Sequence, residues 1–415
     1  MRILIVSDNY PPETNAGASR SGEHARHWAA FGHDVTVITC APNFPQGRLF
    51  PGYRNWPRQV EQREGVRVVR VGTFMAPNRG VVLRLLDFLS FMVAAWCAGL
   101  WERRPDVVLA TSPQFFAALA GWGLAAVRRV PFVFELRDLW PASVAAVGVV
   151  RVGLALRAFE RVELFLYRRA ARVLAVTEAF RENLVARGIP AARIAVVTAG
   201  ADLARFRPQP RDEALAARLG LAGCFVVGYL GTHGMAHGLH AVLEAAALLR
   251  DVPAVRFLLV GDGAERAALL ERARRGGLSN VVFEGPQPKE RMPAYWSLCD
   301  VALISLRNEA LFADVLPSKI FEAMAMGLPL LLSLPRGEAT ALVERHGAGR
   351  CVPPEQPAAL AAAVRALAQD AAGRAALAAA SLAAAPQYDR RRGAERIEAL
   401  LRDVVAGRPA PGQGA

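Results

Sequence analysis

Asp314-Val-Leu-Pro317-Ser-Lys319-Ile-Phe-Glu322-Ala-Met-Ala-Met-Gly327-Leu-Pro329 sets two carboxylates around a short apolar helix. Proline is favoured at the first helical position and glycine just past the last, so the helix is expected to begin at Pro317 and stop at Gly327. Asp314 then lies in the loop feeding the helix, and Glu322 sits a turn and a half inside it. Free N–H groups at such a helix start suit a phosphate. Lys319 adds a cation at the same place. Carboxylates on either side of a diphosphate can hold sugar hydroxyls, a ribose on one side and a hexose on the other. The bland alternative is a surface helix with ordinary charges.

Outward from this stretch, apolar strands alternate with helical segments. In the first half, strands are expected at Ile3–Ser7, Val35–Thr39, Val66–Val71, Val107–Thr111, Phe132–Glu135 and Arg172–Thr177, with a helix at Ser19–Phe31. In the second half they are expected at Phe225–Leu230, Val255–Val260, Val281–Glu284, Val301–Leu306 and Leu330–Ser333. Near-continuous Val/Ile/Leu runs between helices indicate parallel sheets covered on both faces. The fold class is therefore α/β, with two Rossmann-like doubly wound parallel-sheet domains facing a central cleft. The Gly/Pro-punctuated stretch from Val197 to Pro208 reads as the hinge. Domains are expected at 1–200 and 201–385. An Ala-rich helix is expected at 358–384, a basic amphipathic helix at 386–405 crossing back to the first domain, and a disordered tail at 406–415.

The 415 residues suffice for two domains of roughly 100–200 residues each. A hydrophobic fraction of 53% with 21% charged residues is globular. Residues 1–200 hold 25 Arg against 15 acids, a surplus of +10, while the remainder has +3. That asymmetry suits an anionic partner for the first half: acidic lipid, a diphosphate-bearing substrate or nucleic acid. Composition drift in an Ala/Arg-rich chain would produce it too. Of 50 basic residues, Lys289 and Lys319 are the only lysines. The five cysteines lack CxxC spacing and read as reduced, buried, cytosolic thiols. His24 and His27 have no third ligand nearby and read as structural or solvent-facing. The N-terminal Met-Arg-Ile-Leu-Ile-Val-Ser-Asp reads as a buried strand and not as a leader. In the apolar segment Val81–Trp101, Arg84 and Asp87 leave only 14 uncharged residues, against about 20 for a span. A core helix and an interfacial helix, with Trp96, Trp101, Arg103 and Arg104 at the membrane surface, are both open.

In open α/β sheets ligands bind beyond the carboxyl ends of strands, so the loops after the strands carry the candidate sites. The first is Asp8-Asn-Tyr-Pro-Pro-Glu13-Thr-Asn-Ala-Gly17-Ala-Ser-Arg20, long for its class. After Phe132–Glu135 comes Leu136-Arg137-Asp138-Leu-Trp140-Pro141, where Asp138 could accept a proton from an attacking hydroxyl or pair structurally with Arg137. After Phe225–Leu230 comes Gly231-Thr232-His233-Gly234-Met-Ala-His237-Gly238, whose amides can cradle a diphosphate. This is not GxGxxG, and neither a Walker A pattern nor a Gly-x-Ser-x-Gly elbow occurs. The sequence lacks Asp-x-Asp, the usual metal handle for a diphosphate, so helix dipole and cation are left to do that work.

These residues resemble glycosyltransferase family 4 of the GT-B fold, in order and over nearly the whole chain. The acceptor half is carried by Ile3 to Glu13 with Gly17 and Arg20, by Gly32-His-Asp-Val-Thr-Val and by Ser112-Pro. Leu136-Arg-Asp-Leu-Trp-Pro is similar to a bacterial subgroup that makes O-antigen, capsule and colanic-acid-like polysaccharides and includes N-acetyl-L-fucosamine transferases. Gly261-Asp-Gly, Phe283-Glu-Gly285, Cys299-Asp-Val-Ala-Leu and Leu316 to Gly327 resemble the donor half. The family's Glu-x7-Glu pair falls on Asp314 and Glu322, which the resemblance assigns to the donor sugar and the nucleotide ribose. Asp314 is one methylene shorter than the family's Glu. The family's basic pair falls on Thr232 and His237, neither a fixed cation, which leaves the diphosphate to Lys319 and the helix amides with His237 assisting.

The resemblance implies a retaining glycosyltransferase. It would move a sugar from a nucleotide-sugar, expected to be UDP-linked and an N-acetylated deoxyhexose among the options, to a lipid-linked or saccharide acceptor in surface-polysaccharide biosynthesis. The catalytic candidates are Asp138, Asp314, Lys319 and Glu322. Donor contacts are expected from Gly231, Thr232, His237, Gly261, Gly285, Leu316, Ser318, Lys319 and Glu322. Acceptor contacts are expected from Glu13, Gly17, Arg20, Arg137 and Asp138. No metal or other cofactor is expected, and no nucleic-acid partner. A cytoplasmic location at the inner face of the plasma membrane follows, with peripheral association to anionic lipid. A GT-B nucleotide-sugar epimerase and a catalytically inactive nucleotide-sugar-binding scaffold are the rivals; donor hydrolysis with and without acceptor separates the first, and donor binding without turnover would mark the second. The glycine spacing argues against an NAD oxidoreductase.

Overall fold

The computed structural model describes the chain apart from residues 14, 45–46, 76–80, 113, 140–153 and 409–415, and apart from the side chains of 81–82 and 154–156. Most of the tail expected at 406–415 thus lies outside the described residues. The chain divides into two units, Met1–Thr198 with Arg391–Ala415, and Ala199–Arg390.

The first unit is built on eight strands: β1 (Arg2–Val6), β2 (Asp34–Cys40), β3 (Arg58–Arg63), β4 (Val66–Val71), β5 (Val107–Thr111), β6 (Phe132–Leu136), β7 (Arg172–Ala175) and β8 (Ile194–Val196). Their order is β3-β4-β2-β1-β5-β6-β7-β8, with β1 central and paired in parallel to β2 (Ile3 to Val35) and β5 (Ile3 to Val107). Helices cover both faces, which is why Ile3 and Ile5 on one face and Leu4 and Val6 on the other are all buried. The sequence reading missed the three-residue β8 and also β3. The latter is a charged edge strand, antiparallel to β4, and its turn residues Glu64 and Gly65 take φ of 50° and 79°. Two consecutive left-handed residues are what a tight hairpin requires.

The last helix, Arg390–Val405, packs its Ala394, Ile397 and Leu401 stripe into the core of the first unit. There Trp28 Nε1 donates to the Ala394 carbonyl at 2.9 Å, and His33 Nε2 meets Glu398 Oε1 at 2.9 Å.

The helix Val81–Trp101 is neither wholly core nor wholly free. Phe91, Ala95 and Ala98 are buried, whereas Leu83, Leu86, Val93, Trp96 and Trp101 are exposed, Trp101 at 84%. The segment Leu83–Trp101 is long and apolar enough to cross a membrane by length and composition, and 22% of its most apolar window is buried.

The second unit holds six parallel strands: β9 (Phe225–Leu230), β10 (Val255–Val260), β11 (Val281–Glu284), β12 (Val301–Ser305), β13 (Leu330–Ser333) and β14 (Gly349–Val352). Their order is β11-β10-β9-β12-β13-β14. The Ala-rich segment expected as one helix is two, Pro357–Gln369 and Ala371–Ala384. The break falls at Asp370, whose carboxylate accepts from Gly373 N at 2.7 Å and caps the second helix. The cysteines are free, but only Cys40 and Cys299 are buried. Cys97 is exposed and Cys224 and Cys351 are half-buried, which corrects the expectation of five buried thiols.

Candidate active site

In the second unit the loops after β9, β10 and β11 are tied to one another rung by rung. Gly231 N donates to Val260 O at 2.9 Å, His233 N to Asp262 O at 2.9 Å, and Gly261 N to Glu284 O at 3.1 Å. Two glycines make this closeness possible. A Cβ at Gly261 (φ +144°) would stand 1.9 Å from Gly231 O, and one at Gly231 (φ +146°) would stand 2.9 Å from Lys319 Nζ. Tyr229, the penultimate residue of β9, is fully buried and donates its hydroxyl to Thr232 O at 2.7 Å.

The segment after β12 passes through a 3-10 turn, Ala310–Asp314, before the helix Lys319–Ala325. The helix therefore starts two residues later than expected. Pro317 and Ser318 serve as the preceding turn, their carbonyls accepting from Ile320 N and Phe321 N at 3.1 Å each, and the Ser318 side chain caps nothing. Glu322 consequently sits in the first turn of the helix. Seven residues make barely two turns, so the aligned dipole is small and the charge must come from side chains. Ser318, Leu316 and Asp314 are half-buried, and Thr232 is exposed.

Lys319 is the centre of this arrangement. Its Nζ lies 3.8 Å from the centroid of the Tyr229 ring and is buried with no hydrogen-bond partner. Burial, only partly offset by the Glu322 charge, brings its pKa down to about 7. His237 and His233 pack around the same ring, at 5.9 and 6.0 Å between centroids. Burial first, then the charge of Lys319, lowers the His237 pKa to about 3. Burial, then Arg266 and Lys319, lowers that of His233 to about 4. His237 is thus a neutral imidazole, able to share a hydrogen bond but not to assist as a cation. Its Nδ1 and both ring nitrogens of the buried His233 have no partner. Unpaired buried donors and acceptors are unfavourable by about 1–3 kcal/mol each, so this cluster calls for ordered water or a polar ligand. His233 and Tyr229 were missed in the sequence reading; the only signal for His233 was its place between two glycines of a candidate loop.

Beside Lys319, Glu322 is buried and accepts from Lys289 Nζ at 2.6 Å. Gly285 opens the loop after β11, where a Cβ would meet nothing within 4 Å.

The acceptor candidates of the first unit fare differently. The Arg20 guanidinium is buried against Glu135 Oε1 at 2.6 Å and also donates to Val197 O. Burial alone would raise Glu135, but Arg20, Arg137 and His24 around it hold its pKa at about 2. His24, 4.0 Å from the same carboxylate, is buried and pushed down to about 3, chiefly by burial and then by Arg20. Arg137 donates to the carbonyls of Gly17 and Ala16 and so anchors the start of the helix Ala16–Ala30. Glu13 Oε1 accepts from Asn43 N and Phe44 N at 2.8 and 2.9 Å. Arg20 and Arg137 are thus engaged in holding the loops, whereas the second carboxylate oxygen of Glu13, Oε2, is buried without a hydrogen-bond partner. Asp138 is half-buried, its backbone N bonded to Ser112 Oγ at 3.3 Å. Trp140 and Pro141 of the same motif lie outside the described residues. A carboxyl not singled out in the sequence is more perturbed: Asp8, half-buried at the end of β1, has its pKa raised to about 8 by burial and then by the Asp87 and Glu13 charges.

Residues 16–200 match the family described as Glycosyl transferase 4-like domain, and residues 224–370 match Glycosyl transferases group 1. A protein of Escherichia coli (strain K12) named as a colanic acid biosynthesis glycosyl transferase, WcaI, is 29% identical over 88% of this chain and 91% of its own. A GDP-mannose-dependent alpha-mannosyltransferase of Mycobacterium tuberculosis (strain CDC 1551 / Oshkosh) is 32% identical over 85% of this chain and 84% of its own. The crystal structure of HepE from Anabaena, in complex with UDP-glucose, has a TM-score of 0.71 at 20% identity, covering 97% of this chain and 100% of that one. A lysine and a carboxylate at the head of the Lys319–Ala325 helix, two parallel-sheet α/β units and these matches lead to one conclusion: the chain is a glycosyltransferase of family 4, with the GT-B fold.

Proposed function

We propose that this enzyme takes its sugar from a nucleotide-diphosphate sugar held by the second unit and transfers it with retention to a lipid-linked or saccharide acceptor received by the first. The product would be a surface polysaccharide, and an N-acetylated deoxyhexose is among the sugars that fit this reading. The observation that carries it is the buried, unpartnered amine of Lys319 among the glycine loops and neutral histidines. As the sugar–phosphate bond breaks, negative charge grows on the diphosphate. The Lys319 amine, kept protonated by the diphosphate that arrives beside it, would stabilise that charge more in the transition state than in the ground state. Lys319 would supply the charge that a metal supplies elsewhere. Glu322 would take the ribose hydroxyls, Asp314 the sugar, and Asp138 the acceptor hydroxyl. The attack would come on the face the leaving group departs from, since no obligatory nucleophile stands out.

UDP is the proposed carrier. The GDP-mannose dependence in the name of the 32% identical relative favours a second reading, a GDP-sugar. Calorimetric titration with UDP, GDP and dTDP separates them. The proposal expects one of the three to bind at least tenfold more tightly than the others, with UDP first. Binding of none would overturn it.

The acceptor reading places the enzyme at the cytoplasmic membrane surface. The exposed apolar face of Val81–Trp101 supports this, together with Arg103 and Arg104 beyond its end and Arg128 and Arg129 nearby. Arg104 donates to the carbonyls of Arg128 and Arg129, gathering four arginines at the Trp101 end. Tryptophan and arginine at the rim of an apolar helix suit a helix lying in the interface. Near the other end, the Arg84 charge is attracted to the Asp8 carboxylate, while Asp87 repels it. In a flotation assay, the full chain is expected to rise with vesicles containing about one-third phosphatidylglycerol and not with pure phosphatidylcholine. Val93→Asp with Trp101→Ser should reduce the bound fraction at least fivefold, given roughly 1.5–3 kcal/mol per large apolar side chain. Unchanged flotation of that variant would remove the helix from the membrane reading.

A further inference from the structure

Of the 50 basic residues in this chain, 48 are arginine, and both lysines bear on the same helix. Lys319 begins it. Lys289 reaches it from the turn Lys289–Arg291 in the loop after β11, donating from Nζ to Glu322 Oε1 at 2.6 Å. The ring of Phe206 lies 5.5 Å from the same Nζ and bounds it on another side. The Lys289 and Glu322 side chains are 19% and 8% exposed, so the pair is largely withdrawn from water. A buried carboxylate needs such a partner.

The chemistry of lysine gives this choice a consequence. Guanidinium grips a carboxylate through two parallel hydrogen bonds and occupies both oxygens, whereas an ammonium is a point charge that takes one. Among the described residues, Oε1 of Glu322 is engaged by Lys289 and Oε2 by no side chain. We infer that Lys289 is a positioning residue: it fixes Glu322 through one oxygen and leaves the other to accept the two hydroxyls of a nucleotide ribose. The inference rests on the proposed role of Glu322 in donor binding and adds to it the residue that makes the carboxylate selective for a ribonucleotide.

The experiment compares UDP with 2′,3′-dideoxy-UDP by calorimetry on the full chain, and repeats the comparison with GDP and 2′,3′-dideoxy-GDP. The wild type should prefer the ribonucleotide by tenfold or more. Lys289→Met should bring that preference below about threefold while leaving dideoxynucleotide affinity within twofold. Lys289→Arg keeps the charge and the buried pair but covers both oxygens, and should lose the preference as well. Glu322→Gln should lose it, and the double variant Lys289→Met/Glu322→Gln should lose nothing more. Equal weakening of both nucleotides in Lys289→Met would show that Lys289 touches the diphosphate directly and overturn the inference. A preserved preference in Lys289→Arg or Lys289→Met would overturn it too. If the wild type binds a ribonucleotide and its dideoxy form equally, the ribose role of Glu322 falls along with the inference. If it binds no nucleotide, the donor reading itself falls.

Discussion

Lys319→Met is expected to weaken nucleoside-diphosphate binding by more than a hundredfold and, at the same time, to raise the thermal midpoint of the protein at pH 7. The two effects share a cause. The Lys319 amine has given up water for the face of Tyr229 and has no hydrogen-bond acceptor in return. A lysine pKa brought from 10.5 to about 7 corresponds to a destabilisation on the order of 5 kcal/mol when the amine is charged. Methionine fills similar space without a charge. The loss in affinity follows from removing one member of a buried charge pair, which is unfavourable by about 3–5 kcal/mol.

The pH dependence has a definite sign. Between pH 7 and 10.5 the unfolded chain holds a proton on Lys319 that the folded chain has released, so stability rises with pH across that window. The stability advantage of Lys319→Met should therefore be full below pH 7 and fade toward pH 10.5. Calorimetric titration and thermal scans at pH 6.5, 8 and 9.5 test both halves. A variant that binds UDP and GDP as the wild type does, or melts below it at pH 6.5, would remove Lys319 from the role proposed for it.

The parts of this fold that could be read from the sequence are those where burial is two-sided. β9, β10 and β13 fall at the expected residues because a strand covered on both faces is apolar almost throughout and bounded by polar turns. The edge strand Arg58–Arg63 was invisible because an exposed edge tolerates charge at every position. The start of the 319–325 helix was misplaced because Pro317 is equally at home in the turn that precedes it.

The site was legible only as far as local spacing reaches. Glycine loops, Lys319 and Glu322 announce themselves in short motifs. What decides their chemistry comes from elsewhere in the chain: Tyr229 lies ninety positions from Lys319, and Lys289 thirty-three from Glu322. Arg20 and Arg137 read as ligand groups for the same reason. A charged residue in a loop after a strand has the same appearance whether its partner is a substrate or, as for Arg20, the buried carboxylate of Glu135.

Glu322→Ala should reduce kcat/KM for the nucleotide-sugar by about ten- to a hundredfold. Hydrogen bonds to a charged group contribute about 1.5–3 kcal/mol, and a tenfold change corresponds to about 1.4. The split between the constants carries the mechanism. Ribose is remote from the bond that breaks, so contacts made equally in the ground and transition states should appear in KM, with kcat nearly preserved at saturating donor. A fall in kcat alone would instead mean that Glu322 feels the developing charge, through Lys319 in the same helical turn. Removing the carboxylate also leaves Lys289 without its partner, so Glu322→Gln, which keeps a hydrogen-bond acceptor of the same shape, is the necessary companion. The glutamine should show a similar kinetic loss but melt closer to the wild type than the alanine does. Near-normal kinetics in both would mean that the buried carboxylate at the head of this helix serves the fold through Lys289 and not the donor.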